Sequence, residues 1–204
     1  MPFFLRGLVI GFSIAAPVGP IGVLCIRRTL AEGRALGFVS GLGAATADAI
    51  YGAIAGFGLT FLSGFLVREQ GWLRLVGGLF LVYLGIRTFI ARPTAFAGSG
   101  VSPTGGTVLW AAYATTFALT LTNPMTILSF AAIFAGLGVA TRDYESAGLL
   151  VTGVFAGSAL WWLILSSAAG ALRSRLRPES LRWVNRGAGV VIAAFGLLAL
   201  VSPR

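Results

Sequence analysis

Residues 35–61 read ALGFVSGLGAATADAIYGAIAGFGLTF, and one charged side chain, Asp48, stands among them. A helix needs about 20 mostly apolar residues to cross the hydrocarbon core of a bilayer. This stretch is long enough to span, and its charge falls near the centre of the span. A carboxylate at that depth costs several kcal/mol, on the order of 3 on insertion scales, unless it is paired, hydrated or protonated. The helical face that carries it is Gly41, Ala44, Ala45, Asp48, Tyr51, Gly52, Ala55 and Gly56. Small residues on that face predict close contact with another helix rather than with lipid.

Five further segments of suitable length follow from the positions of the charges. They run from about Phe4 to Ile26, Trp72 to Ala91, Thr107 to Val139, Ser146 to Leu172 and Trp183 to Val201. Composition agrees. Of 204 residues 57% are hydrophobic and 10% charged, and the mean hydropathy is +0.91. Soluble domains carry about 25% charged residues, so too little polar side chain exists here to cover a water-facing surface. The expected class is all-α integral membrane, with six transmembrane helices in a single domain over residues 1–204. The run 93–106, rich in Gly, Pro, Ser and Thr, reads as the longest loop. It separates residues 1–92 from 107–204. Trp72, Trp110 and Trp183 fall near span starts, where amphipathic rings favour the interface. Trp161 and Trp162 lie mid-span, as packing residues or as rings lining a cavity.

The net charge of +9 comes from 15 basic residues, all Arg, against 6 acidic ones. In a soluble protein this balance would suggest a nucleic-acid partner. In a membrane protein it reports topology, because cytoplasmic loops concentrate Lys and Arg. Arg27, Arg28, Arg34, Arg87, Arg92, Arg173, Arg175, Arg177, Arg182 and Arg186 fall on one side. Arg6, Arg68, Arg74, Arg142 and Arg204 fall on the other. The first group is predicted to be cytoplasmic, with both termini on the outer face. No nucleic-acid partner is expected. Cys25 is the only cysteine and histidine is absent, so a two-thiol relay is excluded and no metal site or cofactor is expected. The uncharged run from Gly7 to Ile26 exceeds a signal-peptide core and reads as a first span.

The six spans divide into two halves of three. The first span of each half is interrupted by proline: Pro17-Val18-Gly19-Pro20 in span one and Asn123-Pro124 in span four. In the second spans, Gly37-Phe38-Val39-Ser40-Gly41 matches Leu149-Leu150-Val151-Thr152-Gly153. Three spans per half force the second half to enter from the opposite side. The expected plan is therefore two inverted three-helix repeats, with helices 1 and 4 broken at prolines. A proline inside a helix removes a backbone donor and clashes with the preceding turn. Broken backbone at membrane depth is tolerated only against protein or a water-filled cavity. Its free N–H and C=O groups attract anions and cations respectively. Matched breaks in both halves thus predict a binding site.

Pro17, Gly19, Pro20, Asp48, Thr122, Asn123, Pro124 and Trp162 are the candidate binding and translocation residues. Asp48 is also the candidate proton-coupling group. Thr46, Thr120 and Ser158 lie at similar depth. Pairs such as Gly7/Gly11, Gly37/Gly41, Gly52/Gly56 and Gly153/Gly157 are small-residue stripes, serving either intrachain packing or a homodimer.

At these residues the chain resembles the lysine-exporter family of bacterial amino-acid exporters, of the lysine and threonine/homoserine efflux type. The resemblance is carried by Gly11-Phe12 leading to Pro17-Val18-Gly19-Pro20, Ala47-Asp48, Tyr83-Leu84-Gly85-Ile86-Arg87 and Thr122-Asn123-Pro124-Met125. Gly157-Ser158-Ala159-Leu160-Trp161-Trp162 and Trp183-Val184-Asn185-Arg186 complete it. It implies six spans, a bacterial inner-membrane location, and export of amino acids or related small amines coupled to the proton gradient. It also implies that the proline motifs and Asp48 belong to the translocation core. Family members often carry Lys after Asn-Pro, where this chain has Met125. Two other readings compete. One is a structural or accessory subunit without transport activity. The other is a membrane-embedded enzyme, a reading that would gain if the loop acids Glu32, Glu69, Asp143 and Glu145 controlled activity.

Overall fold

The computed structural model describes residues 2–17, 19–57, 68–91, 105–123, 125–130, 143–173 and 178–201. Among them all regular structure is helical. The helices are α1 (Phe3–Ala15), α2 (Pro20–Glu32), α3 (Arg34–Gly56), α4 (Gln70–Ile90), α5 (Gly106–Leu121), α6 (Tyr144–Arg173) and α7 (Pro178–Val201). Residues 125–130 are also helical. Four of these helices, α3, α4, α6 and α7, are each long and apolar enough to cross a membrane; α1 and α2, bent by 81°, make a fifth if taken as one broken span. Within the expected fourth span the described helical residues are α5, a shorter apolar helix, and 125–130; its remainder to Val139 lies outside the described residues, as does most of the loop 93–106.

Boundaries follow local chemistry. Between α2 and α3 the chain reverses at Gly33, whose φ of 113° is a conformation that side chains with a Cβ rarely adopt. Asp143 caps α6: its carboxylate accepts from the Ser146 backbone N–H at 3.0 Å and from the Ser146 hydroxyl at 2.7 Å. These bonds hold its carboxyl below the usual aspartate range.

Glycine sets the helix pairing. A Cβ on Gly7 would meet the Leu150 carbonyl, and one on Gly11 the Val154 carbonyl. Reciprocally, one on Gly153 would meet the Phe4 carbonyl and one on Gly157 the Leu8 carbonyl. So α1 and α6 run in the same direction with backbones in contact. By the same reading α3 lies parallel to α5, with Gly43 against Tyr113, and antiparallel to α6, with Gly56 against Leu150. Helices α4 and α7 are antiparallel, Gly85 meeting Gly189 and Gly78 meeting Gly196. In lipid, where apolar surface gives no hydrophobic gain between helices, such close packing is the main source of association. The four stripes read from the sequence do serve intrachain packing.

Two apolar clusters form the core. One joins Ala15, Ile21, Leu24, Ala44, Ala45, Leu119, Trp162 and Ile192. The other joins Ile10, Tyr51, Ile54, Ile127, Phe130, Leu150 and Val154. Along α3 they are separated at Asp48, and along α6 at Ser158. A polar layer therefore lies between two apolar layers.

One expectation needs correction. The helix of the first span does not end at Ile26, before Arg27 and Arg28. The helix runs on to Glu32, and Arg28 is only 9% exposed. Charge marks a span end only where it meets water, and here neighbouring helices supply the acceptors.

Candidate functional site: a cavity at two helix breaks

The first break begins where α1 stops at Ala15. The chain turns over with a Gly19 N–H to Pro17 carbonyl bond of 2.9 Å. Gly19 then takes an extended conformation as the N-cap of α2, and Pro20 occupies the first helical position. Proline is suited there, because its missing N–H is one a helix start leaves unpaired anyway. The second break lies after α5. The Asn123 side-chain oxygen accepts from the Met125 N–H at 3.1 Å, and its carbonyl from Thr126 and Ile127 at 3.1 and 3.2 Å. Asn123 thus starts the helical turn that follows. The Leu121 carbonyl, which an unbroken helix would pair with the Met125 N–H, instead accepts from the Tyr51 hydroxyl at 2.5 Å.

Both breaks open on one cavity of about 60 Å³, lined by Ile14, Ala15, Pro17, Gly19, Pro20, Ile21, Gly22, Ala44, Asp48, Thr120, Asn123, Thr126 and Trp162. That is room for a few waters. Asp48 comes from α3 and is 3% exposed. Ser158 of α6 donates to its Oδ2 at 2.7 Å, and the Trp162 indole N–H donates to the Ser158 hydroxyl at 3.2 Å. Among the described residues, Oδ1 has no hydrogen-bond partner and the carboxylate has no ion pair. Trp162 is held in place because Gly41 leaves room for its side chain, where a Cβ would collide with it.

Of the residues singled out from sequence, Pro17, Gly19, Pro20, Asp48, Asn123 and Trp162 meet at this cavity. Pro124 lies outside the described residues. Thr122 is not among the lining residues. Its hydroxyl turns back to the Ala118 carbonyl at 2.9 Å. Thr46 is also spent elsewhere, between the Leu42 carbonyl and the Tyr113 hydroxyl. Ser158 acts on the cavity through Asp48, and Thr120 lines it directly. Tyr51 was visible only as a neighbour of Asp48 on its helical face. Nothing in the spacing told that its hydroxyl would reach the carbonyl freed at the second break.

The LysE type translocator family model matches residues 12–202. The chain belongs to the LysE type translocator family. It is accordingly a multi-pass membrane protein of a transport family, in keeping with its apolar helices. It is 31% identical over 202 residues to a Bacillus subtilis (strain 168) protein named "Putative amino acid efflux protein YcgF", covering 96% of this chain and 94% of that one. It is 28% identical over 175 residues to "Uncharacterized membrane protein YahN" of Escherichia coli (strain K12), covering 84% and 77%. No solved structure matches the chain significantly. Family membership covers both proline breaks and Asp48, so the cavity lies within the shared part of the translocator.

Proposed function

We propose that this chain is a secondary exporter of amino acids or related small amines in the bacterial inner membrane. The proton gradient drives it, and its substrate site is the cavity between the two breaks. The observation that carries this reading is the pairing of opposite polarities across one small cavity. Its lining holds a buried carboxylate with an unengaged oxygen. It also holds the start of α2, where the first-turn N–H groups of Ile21 and Gly22 carry partial positive charge. A zwitterion needs both, since its ammonium is drawn to Asp48 and its carboxylate to the start of α2. A proton can take the place of the ammonium on Asp48 once the substrate leaves. That exchange on one carboxylate is the economical form of coupling. The family and the printed name of the Bacillus relative support the substrate class.

The same reading holds six spans in two inverted repeats, α1–α2 corresponding to α5 with residues 125–130, α3 to α6 and α4 to α7. Support comes from matched close approaches. Gly153 lies against the Phe4 carbonyl and Leu8 N–H, and Gly43 against the Tyr113 carbonyl and Phe117 N–H. Exchanging the halves turns one contact into the other: Gly43 moves 110 residues on to Gly153, while Tyr113 and Phe117 move 109 residues back to Phe4 and Leu8. The contact of Gly85 with Gly189 corresponds in the same way to that of Gly196 with Gly78. These contacts align Gly43 with Gly153, two residues from the match of Gly41 with Gly153 that the sequence alone suggests. The excess of Arg on the α2–α3 side favours both termini on the outer face.

The test is flux from proteoliposomes loaded in turn with each of a panel of labelled amino acids, with and without a pH gradient. Gradient-accelerated release of at least one is expected. No release of any under either condition overturns the proposal.

A further inference from the structure

Arg28 is a buried cation that the cavity does not use. It sits on α2 two turns beyond Pro20, and 9% of its surface is exposed. One terminal nitrogen donates to three neutral oxygens: the Ser40 hydroxyl at 2.8 Å, the Ala112 carbonyl at 3.0 Å and the Thr116 hydroxyl at 2.9 Å. Among the described residues its other two nitrogens have no acceptor, and no carboxylate pairs with it. The nearest acid in sequence, Glu32, pairs with Arg27 at 3.1 Å instead. Arg27 is further tied to α7 by its Nε bond to Asn185 at 3.0 Å. A guanidinium carries five donors in a planar fork and matches a carboxylate edge to edge. Two hydrogens on one nitrogen serve three acceptors here, while three hydrogens go unanswered. Burying such a charge without an anion is costly.

Its surroundings connect it to the cavity. Thr120 lines the cavity and donates to the Thr116 carbonyl at 2.9 Å, and Thr116 accepts from Arg28. Ser40 lies one turn before Ala44, another lining residue. From Ser40 to Asp48 is eight residues of α3, or about 12 Å at 1.5 Å per residue. That separation is too great for one α-amino acid head group to touch both charges at once. Arg28 thus marks a second position along a polar track, on the side where α2 turns into α3.

We propose that Arg28 is a carboxylate-binding station on the path between the α2–α3 end of the bundle and the cavity. The ligand class is the free carboxylate of an amino-acid substrate, and the inference rests on the exporter reading for that class. An arriving carboxylate replaces the Ser40, Ala112 and Thr116 oxygens on the guanidinium. It thereby releases α2 from α3 and α5, so the same group that selects the substrate also unlatches the helix after the first break.

The experiment is equilibrium binding to the purified full-length protein, with each of the twenty protein amino acids and its carboxamide as probes. Wild type is expected to bind at least one amino acid and to discriminate against its amide. Arg28→Gln is expected to lose about 10- to 100-fold in affinity for the acid, with little change for the amide. Arg28→Lys, which keeps the charge and loses the fork, is expected to fall between them. Dissociation constants refer to the folded fraction, so partial misfolding of a variant does not mimic the result. An unchanged ratio of acid to amide affinity in Arg28→Gln overturns the station, as does absence of binding by wild type. Binding without flux in vesicles overturns the exporter reading and leaves the station standing.

Discussion

Asp48 is the residue on which the proposed transport turns, and its surroundings make its contribution separable from folding. Ser158 holds one oxygen at 2.7 Å and Trp162 holds Ser158. Asp48→Asn keeps the size and a hydrogen-bonding partner for Ser158, so the variant is expected to insert and fold with a melting temperature near that of wild type. Ser158→Ala removes a hydroxyl donor to a carboxylate, an interaction worth about 1.5–3 kcal/mol. It is expected to raise the substrate concentration at half-maximal flux by roughly tenfold or more while leaving Trp162 packed. An unchanged half-saturation value would mean that the hydroxyl is only filling space. Tyr51 has a different task. Its hydroxyl answers the Leu121 carbonyl that the second break sets free. Tyr51→Phe leaves that part-buried oxygen unpaired, at a cost of about 1–3 kcal/mol. Unfolding in mixed micelles would measure the loss, and equal stability would show the carbonyl satisfied by water.

At the scale of elements, the pairing of α1 with α6 depends on glycine because carbonyls of one helix sit where a Cβ of the other would be. Gly157→Leu is expected to lower stability by about 1–3 kcal/mol through overpacking. Gly148→Leu, where a Cβ meets nothing, is expected to be neutral. Equal effects of the two would contradict the close approach. The cap of α6 is pH-dependent. The Asp143 carboxyl is held below its ordinary range in the folded protein. Its stabilising effect is therefore present above the ordinary aspartate range and is lost as pH falls through the depressed folded value. Asp143→Ala should lower the melting temperature at neutral pH, and the difference from wild type should close in acid. Much of this level was legible beforehand. Four-residue glycine spacing announced close packing, and the proline motifs announced both breaks. What could not be read was the partner of each stripe, since Gly7 and Gly153 are brought together by tertiary packing that a single chain's spacing does not encode.

For the whole molecule, an apolar cluster lies on each side of the Asp48–Ser158 layer. The sequence singled out Asp48 as the lone charge of one span, and Asn123 and Pro17 by the proline motifs they belong to. It misjudged Arg28, because a charge at a span end looks the same whether it meets water or three oxygens from other helices. Arg28 shares a helical face with Ile21, Leu24 and Cys25, all buried, and that face was the available signal. The central claim is that amino acid and proton alternate on Asp48 in the cavity between the breaks. The most direct measurement is release of labelled amino acid from proteoliposomes, wild type beside Asp48→Asn, with and without a pH gradient. The account predicts that the gradient accelerates wild-type release and leaves Asp48→Asn release unaccelerated or absent. Equal acceleration of the two would contradict it.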